Sequence, residues 1–175
     1  MRRLMLLRHA KAERAQGGAR DFDRALAAAG RAAAPRIGAY MAGHDLTPDL
    51  AICSSARRAK ETWDLAAGGY AVLPRTVYDP RVYQLAAEGL LGLARAIAAD
   101  VHVLLLVGHN PSLEGLADIL IATGDPTTRD RLAEKFPTGA LAVIDFPVDG
   151  WDKLTPRSGR LDRLVTPGDI AAAGG

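Results

Sequence analysis

Three short segments hold residue types that do chemistry on anions: Arg8-His9, Ser54-Ser55-Ala56-Arg57-Arg58, and Gly108-His109-Asn110-Pro111-Ser112. Each follows an apolar run that reads as a buried strand. Open parallel sheets gather their ligands at the carboxyl ends of the strands, so three such segments on neighbouring parallel strands converge on one crevice. That crevice concentrates imidazoles and guanidiniums. Guanidinium forks match phosphate oxygens in pairs. A helix starting just after Ser55 adds backbone N–H groups and the positive end of its dipole. The residue types alone therefore point to a phosphate group.

Several ways of handling phosphate are absent from the sequence. There is no G-x-x-x-x-G-K-[ST] loop and no G-x-S-x-G elbow. The four histidines are His9, His44, His102 and His109, with no H-E-x-x-H pair and no cysteine partner for a metal. The three segments also lack the aspartates a dinuclear metal site needs. The expectation is no metal and no cofactor, with an imidazole as the nucleophile.

The elements that position these segments alternate. Residues 4–7, 49–53 and 101–107 read as strands, the last being continuous enough for a parallel strand covered on both faces. A short strand is expected over 71–73, and later strands near a sheet edge over 140–146 and 160–165. Helices are expected over 23–42, from Ala56 to Gly68, over 86–99 and over 112–123. Pro35 predicts a kink or break in the first. Ser54 and Ser55 offer N-cap hydroxyls to the second. The tail, about residues 167–175, is rich in small residues and is expected to be loosely held. This βαβ alternation predicts a three-layer α/β/α sandwich with a mainly parallel central sheet, in a single domain spanning 1–175.

Bulk composition agrees. The 175 residues are 49% hydrophobic and 24% charged, with a formal net charge of +2. Basic and acidic residues are interspersed, so no nucleic-acid partner is expected. Four apolar residues after Arg2-Arg3 are too few for a signal-peptide core of about 7–15. No run approaches the ~20 apolar residues of a membrane span. The one cysteine, Cys53, sits in an apolar stretch and reads as a small buried hydrophobe. A cytoplasmic protein is expected.

The motifs, taken in order, resemble those of the histidine phosphatase superfamily, the phosphoglycerate mutase-like fold. Leu7-Arg8-His9-Ala10 resembles its R-H-G signature, with alanine in place of glycine. Ser54-Ser55-Ala56-Arg57-Arg58-Ala59-Lys60-Glu61-Thr62 resembles S-P-x-x-R-A-x-x-T, with Ser55 in place of proline. Val107-Gly108-His109-Asn110 resembles the later G-H motif. Asp23-Arg24-Ala25-Leu26 with Gly30, and Pro137-Thr138-Gly139-Ala140, are similar to the SixA-type phosphohistidine phosphatases.

The resemblance implies roles. His9 would be the nucleophile and transient phosphohistidine, and Arg8, Arg58 and His109 would hold the phosphate. Arg58 is chosen over Arg57 by its neighbour Ala59. Arg24, Arg57 and Asn110 are further expected substrate contacts. Where longer members of the superfamily carry a catalytic glutamate, this chain reads Asp79-Pro80-Arg81-Val82-Tyr83-Gln84. Glu13, Asp21 and Glu88 are the carboxylates left as candidate acids, and Tyr83 is expected to pack or to line the mouth. An alkoxide leaves poorly without an acid, whereas an imidazole can leave protonated. The expected substrate is therefore phosphohistidine in a protein, with neutral His9 beside a protonated second imidazole. A phosphatase or mutase for small phosphoesters is one rival. A non-catalytic module binding phosphorylated proteins is another.

Overall fold

The computed structural model describes residues 1–174. One seven-stranded sheet carries the fold: β1 (Arg2–Arg8), β2 (Leu50–Ser54), β3 (Thr76–Asp79), β4 (Val103–Gly108), β5 (Ile121–Gly124), β6 (Leu141–Phe146) and β7 (Gly159–Val165). Their order is β3-β2-β4-β1-β6-β7-β5. β1, β2, β3 and β4 run parallel to one another, β6 runs antiparallel to both its neighbours, and β5 runs parallel to β7. The architecture is the mainly parallel α/β/α sandwich expected.

The apolar runs serve both faces of the sheet. Leu4, Leu6, Leu104 and Leu106 face one core, with Leu90, Leu113 and Leu116 of the helices α4 (Ala87–Arg95) and α5 (Ser112–Leu120). Met5, Leu7, Leu105 and Val107 face the other, with Ile37, Met41 and Trp63 of the helices α1 (Ala28–Gly43) and α2 (Arg57–Ala67). Successive strand residues point to opposite faces, so a strand covered twice must be apolar at every position.

Several elements depart from expectation. α1 starts at Ala28, not at residue 23, because Ala12 and Leu26 form an isolated antiparallel bridge and Asp21–Asp23 make a 3-10 turn. Pro35 does not break it; Pro35 lies on the exposed side, where water reaches the carbonyl it leaves unbonded. The edge strand is Thr76–Asp79 rather than 71–73, since Pro74 separates the exposed Val72 and Leu73 from the register with β2. The short helix α3 (Arg81–Gln84) then turns back toward the crevice. α5 stops at Leu120 and passes into β5.

The β6 and β7 strands lie inside the sheet, with β5 at that edge. The helix α6 (Pro126–Glu134) was not anticipated, although Asp125 as N-cap and Pro126 at the first position are a recognisable start signal. The tail is helical over Pro167–Gly174, and Gly175 lies outside the described residues. This helix, α7, is opened by reciprocal bonds between Thr166 and Asp169 and packed on the α1 side through Ile170. Among the described residues no helix is long and apolar enough to cross a membrane.

Candidate functional site

The carboxyl ends of β1, β2 and β4 meet as expected, bringing His9, Ser54 and His109 together. His9 and His109 are both buried, with ring centroids 5.3 Å apart. The turn after β1 is fixed from three sides. His9 N–H donates to Gly108 O at 3.0 Å, and Gly139 N–H donates to His9 O at 2.9 Å and to Arg8 O at 3.1 Å. Ala10 N–H donates to Thr62 Oγ1 at 3.0 Å, and that hydroxyl donates to Arg58 O at 2.7 Å. Thr62 thereby ties the histidine turn to the helix that carries Arg58.

Hydrogen bonding sets the tautomer of His9. His9 Nδ1–H donates to the Ala10 carbonyl at 2.7 Å, leaving the Nε2 lone pair free. Ser54 Oγ accepts from Ala56 N–H at 3.2 Å and lies 2.7 Å from His109 Nε2. The Ser54 hydroxyl can donate to Nε2 or accept from it; when it donates, His109 carries its ring proton on Nδ1. That Nδ1 is buried with no partner in the protein, and so are Nε of Arg8 and Nε of Arg58. Buried polar atoms without partners are rare in native proteins, and three such nitrogens, two of them on guanidiniums, beside one free imidazole nitrogen suit an anion.

The remaining donors are engaged. Arg8 Nη1 donates to Phe136 O at 3.0 Å, and Asn110 Nδ2 donates to the same oxygen, also at 3.0 Å. Arg58 Nη1 and Nη2 donate to Asp21 O at 2.8 Å and Asp21 Oδ2 at 3.0 Å. Arg24 Nη1 donates to Asp21 Oδ1 at 3.0 Å, and its Nε to Glu13 O at 2.7 Å. Tyr83 O–H donates to Asp21 Oδ2 at 2.7 Å, while its ring meets His109 edge-on at 5.4 Å and lies 5.8 Å from the Arg58 guanidinium.

Electrostatics follow from this burial and charge. Burial, with the guanidiniums of Arg58, Arg8 and Arg24 adding to it, lowers His9 to about 4. Burial and Arg58 lower His109 to about 3. Both rings are neutral at pH 7, which corrects the expectation of a protonated second imidazole. The Tyr83 hydrogen bond, with Arg24 and Arg58, holds Asp21 well below the usual carboxylate range. Asp21 is therefore ionised and has no proton to give. Its bond in turn raises Tyr83.

The sequence-predicted residues thus separate. Arg8, His9, Arg58 and His109 form one cluster, and Arg24 joins it through Asp21. Asn110 lies beside it but anchors Phe136. Arg57 does not join: its Nε is bonded to Glu61 at 2.6 Å on an exposed face. Glu13 and Glu88 are exposed, and Glu13 takes part only through its backbone carbonyl. Sequence reasoning placed Tyr83 at the mouth but missed Ser54 as the partner of His109 and the bond from Tyr83 to Asp21. Serine at the end of a strand facing a histidine was the available signal for the first. Nothing in the spacing marked the second. A groove of about 460 Å³ between α5 and α6 begins at Pro111 and Glu114, next to the cluster, and includes none of these side chains. Among the described residues, no three His, Cys, Asp or Glu side chains are grouped to hold a metal ion.

The comparisons with known proteins agree with this fold. The profile of the histidine phosphatase superfamily (branch 1) matches residues 4–84. An uncharacterized protein of Mycobacterium tuberculosis is 35% identical over 140 residues, covering 79% of this chain and 85% of the relative. A solved structure of a candidate phosphohistidine phosphatase SixA from Agrobacterium tumefaciens superposes with a TM-score of 0.81 at 34% identity, covering 95% of this chain and 98% of that one. A second such SixA structure, from Nakamurella multipartitia, gives 0.81 at 29%, covering 95% and 96%. The chain belongs to the histidine phosphatase superfamily, in its SixA-type branch.

Proposed function

We propose that the chain is a metal-independent phosphatase that passes a phosphoryl group through His9 and acts on phosphohistidine in proteins. The observation that carries this reading is the free Nε2 of His9 beside three buried nitrogens without protein partners, in a cluster with no carboxylic acid. The Nε2 lone pair attacks phosphorus in line. Arg8 Nε–H, Arg58 Nε–H and His109 Nδ1–H hold the equatorial oxygens as charge redistributes. The P–N bond of the substrate breaks, and its electron pair returns to the departing ring. Solvent protonation of that ring's other nitrogen makes the leaving group a neutral imidazole.

Phospho-His9 keeps its Nδ1–H on the Ala10 carbonyl, which stabilises the cationic ring. Water then attacks phosphorus, the pair returns to Nε2, and inorganic phosphate leaves carrying the proton of the water. Neither departure needs an acid from the protein. An alkyl phosphate does need one, and Asp21, the one carboxylate held against the cluster, is kept ionised.

The test is a substrate panel of a phosphohistidine protein, phosphoramidate and a sugar phosphate, run with and without EDTA, together with acid-free trapping of labelled His9. The expected result is preference for the P–N substrates, label on His9, no effect of EDTA, and no turnover by folded His9→Ala. Preference for the sugar phosphate would move the assignment to small phosphoesters. Retained turnover in His9→Ala would remove the mechanism altogether.

A further inference from the structure

Asp21 is the most heavily bonded side chain beside the cluster, and the phosphoryl transfer just described gives it no role. Its carboxylate accepts from Arg58, Arg24 and Tyr83, and its main-chain oxygen accepts from Arg58 again. The Arg58 side chain is buried, while that of Asp21 is half exposed. Asp21 sits in the 3-10 turn Asp21–Asp23 at the end of a connection from β1 to α1 that includes Gly17 and Gly18 at positive φ. The turn is therefore held against the sheet mainly by these polar contacts and by Phe22 meeting Tyr83 edge-on.

The bonding has a consequence for Arg58. A free guanidinium meets a phosphate best with two donors in parallel. Here both terminal nitrogens are turned to Asp21, and the remaining Nε–H is the group left without a partner. Asp21 thus decides which edge of Arg58 faces the His9 cluster. It also offsets one of the three guanidinium charges gathered there.

We propose that Asp21 is a positioning residue that acts through Arg58, fixing its Nε edge toward the phosphoryl group, with the Tyr83 hydroxyl as the latch that holds the carboxylate. This rests on the function proposed above. Losing Asp21 lets Arg58 swing, and a small misplacement of a charge-stabilising group costs about 10²-fold in rate. Losing only the Tyr83 hydroxyl leaves the two arginines on Asp21 and costs less.

The experiment measures phosphoramidate turnover and inhibition by inorganic phosphate in Asp21→Asn, Asp21→Glu and Tyr83→Phe, each also placed on Arg58→Lys, with thermal melting as the folding check and His9→Ala as the control. Asp21→Asn is expected to lower kcat between tenfold and a hundredfold, with a smaller change in KM and an unchanged melting profile. Asp21→Glu should recover part of the loss, and Tyr83→Phe should lose less than Asp21→Asn. On Arg58→Lys, which has no Nε edge to orient, Asp21→Asn should add less than twofold.

A wild-type kcat in Asp21→Asn would overturn the proposal. So would an equal further loss on Arg58→Lys, because Asp21 would then act independently of the guanidinium. If Asp21→Asn does not fold, Tyr83→Phe decides by the same pair of measurements. An active His9→Ala would sink the parent mechanism instead, and the two failures are read from different variants.

Discussion

On the β3-β2-β4-β1 side of the sheet, Arg58 and His109 are buried and Arg8 is half-buried around His9, each with a buried nitrogen that bonds to nothing in the protein. On the β6-β7-β5 side several charged groups find partners. Arg163 meets Asp162 at 2.7 Å, Arg131 meets Asp169 at 2.9 Å, and Arg157 Nη1 donates to Ile121 O at 2.9 Å. A buried donor without an acceptor is unfavourable by about 1–3 kcal/mol. Isolated cases occur, such as Arg2 Nε at the amino end of β1. Three around one imidazole are explained by a ligand, and paired charges elsewhere by folding. The second half still supports the first, because Phe136 O holds Arg8 and Gly139 N–H holds the histidine turn.

The largest expected effect breaks the first side alone. Arg8→Ala and Arg58→Ala should each lower kcat/KM on a P–N substrate by about 10²–10³-fold, the usual loss for one oxyanion-stabilising donor. Melting temperature should fall only modestly, since each change removes an unbonded buried nitrogen together with the bonds to Phe136 O or Asp21. A large drop in melting temperature with modest loss of rate would make these arginines structural, like those of the second side.

Acid sensitivity of stability is the next effect in size. Unfolded histidine titrates near 6.5, while burial holds His9 at about 4 and His109 at about 3. Below pH 6.5 the unfolded chain therefore binds more protons than the folded one. This contribution to stability is full above pH 6.5, falls as pH drops from there, and is spent only below about pH 3, with a combined loss of at most roughly 8 kcal/mol. Denaturant unfolding from pH 7 to pH 4 should show this slope, and His109→Gln should flatten much of it. The same shifts place the acid limb of kcat/KM near pH 4. A limb near 6.5 would mean the rings are not desolvated.

The first side was also the more legible in the sequence. Its strands are uninterrupted apolar runs with the chemistry in the short segments immediately following them, so the segments holding Arg8-His9, Arg57-Arg58 and His109 stood out before the fold was seen, and the family resemblance chose Arg58. What escaped depends on distant contacts. Asp21 and Tyr83 are 62 positions apart and join only through the tertiary fold. Arg57 and Arg58 are neighbours on one helix, and only the helix phase sends one to the cluster and the other to Glu61. On the second side, α7 looked like a loose tail because its Ala-Gly composition hides the Thr166–Asp169 box and the seat for Ile170.

A smaller effect links the sides. Gly139 has φ +75°, and a Cβ there would come within 2.8 Å of Pro167 Cγ. Gly139→Ala should destabilise by roughly 1–2 kcal/mol from the backbone conformation and the contact. Because Gly139 N–H also holds the Arg8 and His9 carbonyls, turnover should fall by several fold as well. Loss of stability at full activity would show that the turn after β1 needs only its bonds to Gly108 and Thr62.

The smallest effect belongs to the second side alone. The Arg131–Asp169 pair joins α6 to the start of α7 with both side chains about two-fifths exposed. Exposed pairs of this kind contribute about 0–1 kcal/mol, because water screens the attraction and both chains lose rotamer freedom. Arg131→Ala should therefore change unfolding free energy by less than about 1 kcal/mol and leave kcat and KM within error. Asp169→Ala should lose more stability, since Asp169 also accepts from Thr166 N–H at 2.9 Å and its removal opens the helix start. If Arg131→Ala lowered turnover, charge on α6 would be acting on the crevice through Phe136, and the division between a paired supporting half and an unpaired reacting half would fail at that point.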